Sequence, residues 1–440
     1  MILSGWGRYR AQDCQVAAPR SEADLRALLG QGALIARGNG RAYGDSACNP
    51  RQTALMHRFN RLLAFDEASG QLTVEAGVML SDVIAAMLPR GWFPPVTPGT
   101  KFVTIGGMIA ADVHGKNHHQ SGSFGGFVDW IDVMLADGTV RRASPTVEPD
   151  LFGWTIGGMG LTGIILRAAF RLIPVPSGWI RQTLIPTADL DATMAAFDAA
   201  QGATYSVAWI DCLSTGAGLG RSLVMLGEHA DPADLPPAQA AHPYVTPPRR
   251  KLTVPFDAPG LALNRLTVRA FNALYYRKGL RAAGQSLVDW DRYFYPLDAI
   301  LGWNRIYGRK GFAQFQCALP LATAQSGLRA LLQAISASGQ GSFLSVIKRF
   351  GPQASRISFP MEGYTLALDF PVTAATLALM ERLDSLTLAH GGRFYLAKDS
   401  RMRPETLHAS DPRLAAFRAW RDTGNCTGHF ASAQSERLKL

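Results

Sequence analysis

Ala36-Arg37-Gly38-Asn39-Gly40-Arg41-Ala42-Tyr43-Gly44-Asp45-Ser46 follows the apolar pair Leu34-Ile35 and carries three glycines within seven residues. Glycine reaches backbone conformations closed to other residues, so a strand running into this stretch turns sharply and aims several N–H groups at one anion. Arg37 and Arg41 add positive charge that suits a diphosphate. The spacing is neither the Gly-x-Gly-x-x-Gly of a dinucleotide fold nor a phosphate loop, because no Gly-Lys-Ser/Thr follows. On its own the stretch is equally a plain glycine turn.

A second stretch narrows the choice. Pro98-Gly99-Thr100 precedes Val103-Thr104-Ile105-Gly106-Gly107-Met108-Ile109-Ala110-Ala111-Asp112-Val113-His114-Gly115-Lys116-Asn117-His118-His119. Gly106 and Gly107 let a ligand approach the backbone at the start of an apolar helix, whose dipole favours phosphate. That helix is expected to end at His114-Gly115. Three histidines within six residues raise the question of a metal. There is no His-Glu-x-x-His, and Asp112 is the one carboxylate at ligand spacing, so no metal is expected and contacts to cofactor or substrate are.

At 440 residues the chain is long for one hydrophobic core, and two domains are expected. A composition 47% hydrophobic and 18% charged argues against wholesale disorder. The net charge of +10 favours an anionic partner. No nucleic-acid module gathers the arginines, so the partners expected are a cofactor diphosphate, an acidic substrate or a membrane surface, and not nucleic acid. Cys14, Cys48, Cys212, Cys317 and Cys426 lack the short spacings of a zinc knuckle or a disulfide framework and read as reduced, buried thiols. No signal-peptide pattern opens the sequence, and no run approaches the ~20 apolar residues that span a bilayer. The expectation is a protein that is cytoplasmic or peripheral at the inner membrane.

Along the chain, strand-like and helical runs alternate in an α+β pattern. Ser21 caps a helix with Asp24 three residues on, Leu72–Val78 alternates as a strand, and Ser81 is expected to cap a helix ending before Pro89. Asp137-Gly138 reads as a two-residue hairpin turn. Pro174-Val175-Pro176 marks a domain boundary. Residues 228–256, rich in proline, read as a mobile loop. Residues 257–285 interleave Leu, Val, Phe and Tyr with Arg265, Arg269, Arg277, Lys278 and Arg281, as either a helix lying on an anionic membrane or an ordinary surface helix.

Both glycine stretches, in this order and separation, resemble the vanillyl-alcohol-oxidase (PCMH-type) family of FAD-binding proteins, most closely its decaprenylphosphoryl-β-D-ribose 2-oxidase branch. The resemblance runs through nearly the whole chain. It is carried by Gly5-Trp6-Gly7-Arg8, Tyr43-Gly-Asp-Ser-Ala47, His114-Gly-Lys-Asn-His-His119, Gly157-Gly-x-Gly-Leu-Thr-Gly-Ile-Ile165 and Ala208-Trp209. It continues in Tyr295-Pro-Leu-Asp298, Trp303-Asn-Arg305, Gln314-Phe-Gln316 and Gly391-Gly-Arg-Phe-Tyr395-Leu-Ala-Lys398-Asp-Ser400.

The resemblance implies a two-domain fold: an FAD-binding domain over 1–176, a substrate domain over 177–392, and a segment, 393–440, returning to the first. It implies residues 36–46 on the diphosphate, with Gly99, Thr104, Ile105, Gly106, Gly107, Ala111, Asp112, Val113, His114, Ile165 and Tyr395 around the rest of FAD. Covalent relatives place a histidine where this chain has Tyr43, so FAD is implied to be held non-covalently. Lys398, Tyr43 and His114 are the implied catalytic residues. Lys116, Trp209, Arg305, Gln316, Lys348 and Ala367 are the implied substrate residues. Relatives carry a cysteine at the position of Ala367 and a serine at that of Val207, so the pocket wall is altered.

The implied reaction is FAD-dependent oxidation of the C2 hydroxyl of a polyprenyl-phosphoryl pentose to a 2-keto sugar, the first half of an epimerisation to the arabinose donor of cell-wall polysaccharide. A short-chain dehydrogenase/reductase would complete it. The alternative is oxidation of a soluble sugar, polyol or aldonolactone by the same fold.

Overall fold

The computed structural model describes residues 1–259 and 263–440. Three sheets organise the site. A small parallel sheet runs in the order Val16–Ala17, Thr53–Leu55, Ile35–Arg37, and the first glycine stretch leaves its last strand. An antiparallel sheet follows in the order Val140–Ala143, Val128–Met134, Ile164–Arg171, Gln71–Glu75, Leu62–Asp66. The third sheet is antiparallel and has eight strands: Gly284–Asp289, Trp179–Thr187, Ser222–His229, Tyr205–Ile210, Ser345–Phe350, Gly363–Pro371, Phe312–Pro320 and Arg393–Phe394.

Alternation along these last strands builds a core and a site at once, because successive side chains point to opposite faces. Phe315, Cys317, Leu319, Leu366, Leu368 and Ile347 face the helices Leu190–Ala199, Leu321–Ser338 and Ala374–Ala389 in one continuous core. Their neighbours Gln314, Gln316, Thr365, Ala367, Val346 and Lys348 line a cavity on the opposite face. Register carries one row across four strands: Trp209 opposite Val346, Val346 opposite Ala367, Ala367 opposite Gln316.

The helix Glu22–Leu29 has the expected capping box, Ser21 Oγ accepting from the Asp24 N–H and the Asp24 carboxylate from the Ser21 N–H, both at 3.1 Å. Elsewhere the expectations need correcting. The next helix, Leu80–Met87, starts a residue before Ser81, and its N-cap, Met79, offers no side-chain bond. The hairpin at Asp137-Gly138 has a three-residue loop. Only Gly138 takes positive φ (79°), and Leu135 and Thr139 close the turn by a backbone bond of 2.9 Å. The apolar helix of the second glycine stretch is short, Ile105–Ala110, because Asp112 turns the chain at φ 38° before His114.

Residues 228–256 are tied down at several points. Arg249 donates to the carbonyls of Tyr295 (2.8 Å) and Pro296 (2.7 Å), Tyr244 donates to the Val175 carbonyl (3.2 Å), and Leu252–Thr253 pairs in parallel with Ile300–Leu301. Beyond them the helix Arg265–Arg281 leaves Leu266, Leu274 and Leu280 exposed. The strand Arg393–Phe394 still belongs to the eight-stranded sheet, so the chain returns to the first glycine stretch after Phe394 rather than at 393. It does so through Leu34, which donates to His429 O (2.9 Å) and accepts from Ala431 N (3.1 Å).

Candidate active site

One cavity of about 640 Å³ runs between the glycine stretches and the open face of the eight-stranded sheet. Its size is in the range of about 300–1,000 Å³ usual for cofactor and ligand sites. The two stretches touch. A Cβ on Gly38 would sit 2.2 Å from Thr104 Oγ1, and one on Gly106 would sit 2.8 Å from the Ala76 Cβ. Asn39 ties the contact by donating to Phe102 O at 2.8 Å, and Gly40 turns the first loop at φ 60°. Nothing lies within 4 Å of a Cβ built on Gly99, which lines the cavity, so the space beside it is available to a ligand. Thr104 caps the short helix by accepting from Gly107 N at 3.2 Å. The residues present therefore fit an extended cofactor with a diphosphate.

Most of the residues singled out in the sequence meet at this cavity. Ala36, Gly38, Asn39, Gly40, Arg41, Ala42, Tyr43 and Ser46 line it from the first stretch; Gly99, Thr104, Gly106, Gly107, Ala111, Val113 and His114 line it from the second. Ile165, Tyr395, Lys398, Lys116, Trp209, Gln316, Lys348 and Ala367 complete the walls. Tyr395 is anchored by its hydroxyl, which donates to Ala111 O at 3.0 Å.

Six others do not line it. Arg37 turns behind the loop and donates to Ser4 O (2.7 Å) and Ala47 O (3.1 Å). Gly44 packs on the turn after Lys398, where a Cβ would meet Asp399 O at 2.1 Å. Asp45 accepts from Arg437 at 2.7 Å. Ile105 lies wholly in the core. Asp112 is an internal brace, accepting from Ser123 Oγ (2.6 Å), Gly125 N (2.7 Å) and Gln353 Nε2 (3.0 Å). Arg305 donates to the carbonyls of Val254 (3.2 Å) and Pro255 (3.0 Å), away from the cavity.

Burial dominates the charges inside. Lys398 Nζ stands 3.6 Å over the ring of Tyr43. Burial lowers its pKa, the Asp369 carboxylate opposes that, and Lys348 adds to it. Lys116, over the Tyr293 ring at 4.0 Å and donating to the Tyr293 carbonyl, is brought down to about 7 by burial and then by Lys348. Lys348 is brought down to about 8 by burial. His114 is held well below its ordinary value by burial, with Lys348, His118 and Lys398 contributing, so its imidazole is neutral. The Gln316 amide nitrogen lies 3.1 Å from His114 Nε2 and 3.2 Å from Thr365 Oγ1, donating to both. Tyr43 is pushed well up by burial and then by Asp369, and stays a phenol.

Other residues reach the site that the sequence reading left without a role there. Lys278, from the basic helix, and Arg292, which no motif marks, line the cavity. Gln314 lines it as well, and its amide reaches the buried Asp369 carboxylate at 2.5 Å. The available signal was parity: Asp369 sits two residues from Ala367 and shares its face of the strand.

Known proteins agree with the geometry. The family described as an FAD binding domain matches residues 15–144. Decaprenylphosphoryl-beta-D-ribose oxidase of Mycolicibacterium smegmatis is 38% identical over 451 residues, spanning 100% of this chain and 97% of its own length. An uncharacterized protein of Streptomyces coelicolor is 35% identical over 377 residues, 82% of this chain and 100% of its own. L-gulonolactone oxidase of Mus musculus is 31% identical over 137 residues, 31% of each chain. FAD is the cofactor, and the protein is an FAD-dependent oxidoreductase. The chain belongs to the vanillyl-alcohol-oxidase (PCMH-type) family of FAD-binding proteins, alongside decaprenylphosphoryl-β-D-ribose oxidase.

Proposed function

We propose that this enzyme oxidises the C2 hydroxyl of a polyprenyl-phosphoryl ribose to the 2-keto sugar, the first half of an epimerisation to the arabinose donor. One observation carries the reading: two lysines, Lys116 and Lys348, line the cavity without counter-ions. Among the described residues, neither Lys116 nor Lys348 has a carboxylate oxygen within 4.0 Å. Covering such charges with a bound ligand is costly unless an anion joins them, and a substrate phosphate supplies one. The full-length relative that is a decaprenylphosphoryl-ribose oxidase supports the same substrate class.

FAD, when bound, supplies the hydride acceptor. Lys398, as a neutral amine, takes the hydroxyl proton, and the Tyr43 ring holds it in place. Neutral His114, from the second glycine stretch, and the Gln316 amide, from the strand Phe312–Pro320, orient the sugar.

A lipid tail needs an apolar exit. Tyr275 and Gly279 line the cavity from the helix Arg265–Arg281, whose Leu266, Leu274 and Leu280 are exposed beside Arg277 and Arg281. We infer that this helix rests on the anionic surface of the inner membrane. No helix among the described residues is long and apolar enough to cross a membrane. Co-sedimentation with anionic vesicles, lost in Leu274→Asp, tests the contact. The keto sugar must then be reduced on the opposite face of C2, which is work for a short-chain dehydrogenase/reductase.

Loss of flavin colour tests the substrate. Bleaching by polyprenyl-phosphoryl ribose but not by free sugars, polyols or aldonolactones is expected. Bleaching by the soluble panel alone would replace the proposal with a soluble sugar, polyol or aldonolactone oxidase.

A further inference from the structure

Among the described residues Lys116, Lys348 and Lys398 have no carboxylate oxygen within 4.0 Å, yet the Asp369 carboxylate lies buried nearby. Asp369 is fully buried on the strand Gly363–Pro371, on the same face as Ala367 and Thr365. Its Oδ1 accepts from the Gln314 amide at 2.5 Å, its backbone N donates to Ser342 Oγ at 3.2 Å, and its Oδ2 has no hydrogen-bonding partner. The hydroxyl of Tyr307, also buried, has none either. Around this carboxylate stand Lys398 from the turn after Tyr395, Tyr43 from the first glycine stretch, Gln314 from the neighbouring strand and Tyr307 from the short helix Trp303–Tyr307. Lys398 in turn faces Tyr43 by its ring, Lys348 from the strand Ser345–Phe350, and His114, which feels its charge.

A buried carboxylate oxygen without a protein partner is costly to keep charged. We propose that Asp369 is a positioning residue that sets the protonation of the Lys398 amine, the two sharing one proton through the field across the pocket rather than through an ion pair. This rests on the reading of Lys398 as the acceptor of the hydroxyl proton. Asp369 itself does not line the cavity. With the shared proton on the Asp369 carboxyl, Lys398 is a free amine. The O–H bond of the substrate then breaks toward that amine as the C–H hydride leaves for FAD, and no other reactant is required. Coupled groups of this kind release their protons in two macroscopic steps that belong to the pair. Burial pushes the carboxyl up and the lysine down, bringing the two into the same range.

Asp369→Asn tests the inference, since the amide keeps the shape and an oxygen for the Gln314 amide. In FAD-loaded protein carrying lysine labelled with ¹³C at Cε, the Lys398 resonance is identified by its loss in Lys398→Ala. In Asp369→Asn its midpoint is expected to fall by about one pH unit or more, because an opposing charge has been removed. An unchanged or raised midpoint overturns the proposal. The acid limb of flavin bleaching is expected to fall by the same amount. A resonance that shifts without the limb leaves the Asp369 inference standing and removes Lys398 as proton acceptor. If Asp369→Asn does not retain FAD, the unmodified protein decides: Lys398 is expected to titrate in two steps, and a single step contradicts the coupling.

Discussion

Arg437, in the last helix, reaches the carboxylate of Asp45 in the first glycine stretch at 2.7 Å, across 392 residues of sequence. The same guanidinium holds Asp399, the residue after Lys398, at 2.8 Å. One cation thus clamps the cofactor loop to the turn that carries the amine. Arg437→Ala leaves two buried carboxylates unpaired and is expected to cost about 3 kcal/mol or more, read as a lower Tm and faster loss of FAD. Burial alone would raise the Asp399 carboxyl, but Arg437 and the N–H groups of Met402 and Arg401 bring it below its ordinary value of 3.8. Its folded pKa being depressed, its stabilisation is present above that value and is lost as pH falls below it. In Arg437→Ala, acid unfolding is therefore expected to show a weaker pH dependence.

Tyr43 stands where the resemblance implies a histidine in covalent relatives, and its phenol is buried against Phe312, the ring centroids 5.2 Å apart. Precipitating the holoprotein with acid is expected to leave the yellow FAD in the supernatant. Colour retained in the pellet would contradict non-covalent binding.

Lys398→Ala is expected to keep the flavin spectrum and lose about 10²–10⁴-fold in the rate of bleaching, the usual weight of a general base. In the unmodified enzyme the rate is expected to rise with pH through a limb well below the ordinary lysine value of 10.5, because burial favours the free amine. The substitution removes that limb. Stopped-flow bleaching across pH checks both.

Lys116→Met and Lys348→Met are each expected to raise KM for a phosphorylated sugar about 10-fold or more, the worth of a charge-assisted hydrogen bond, with little effect on an unphosphorylated one. In the free enzyme these groups deprotonate near 7 and 8, so affinity for the phosphate is expected to weaken as pH rises through that window. Steady-state kinetics on the two substrates separates the outcomes.

The two glycine stretches together made a cradle legible because the backbone itself is the recognising group, whereas Lys398 was marked only by the family resemblance. Charges were read less well. Arg37, Asp45 and Arg305 announce a charge in the sequence but not its direction, and each is spent on a partner inside the protein, Asp45 on one 392 residues away. The helix at Gly106 stops early because Asp112 is held at φ 38° by Ser123, Gly125 and Gln353, which only the folded chain brings together. Asp369 looks like one polar residue in an apolar strand until the register sets it opposite Gln314.

Bleaching by polyprenyl-phosphoryl ribose carrying deuterium at C2 tests the account most directly. The account predicts rapid bleaching, a primary isotope effect on its rate, and a lipid-linked product that has lost the label. Bleaching without an isotope effect or with the label retained, while a free polyol bleaches the flavin readily, would contradict it.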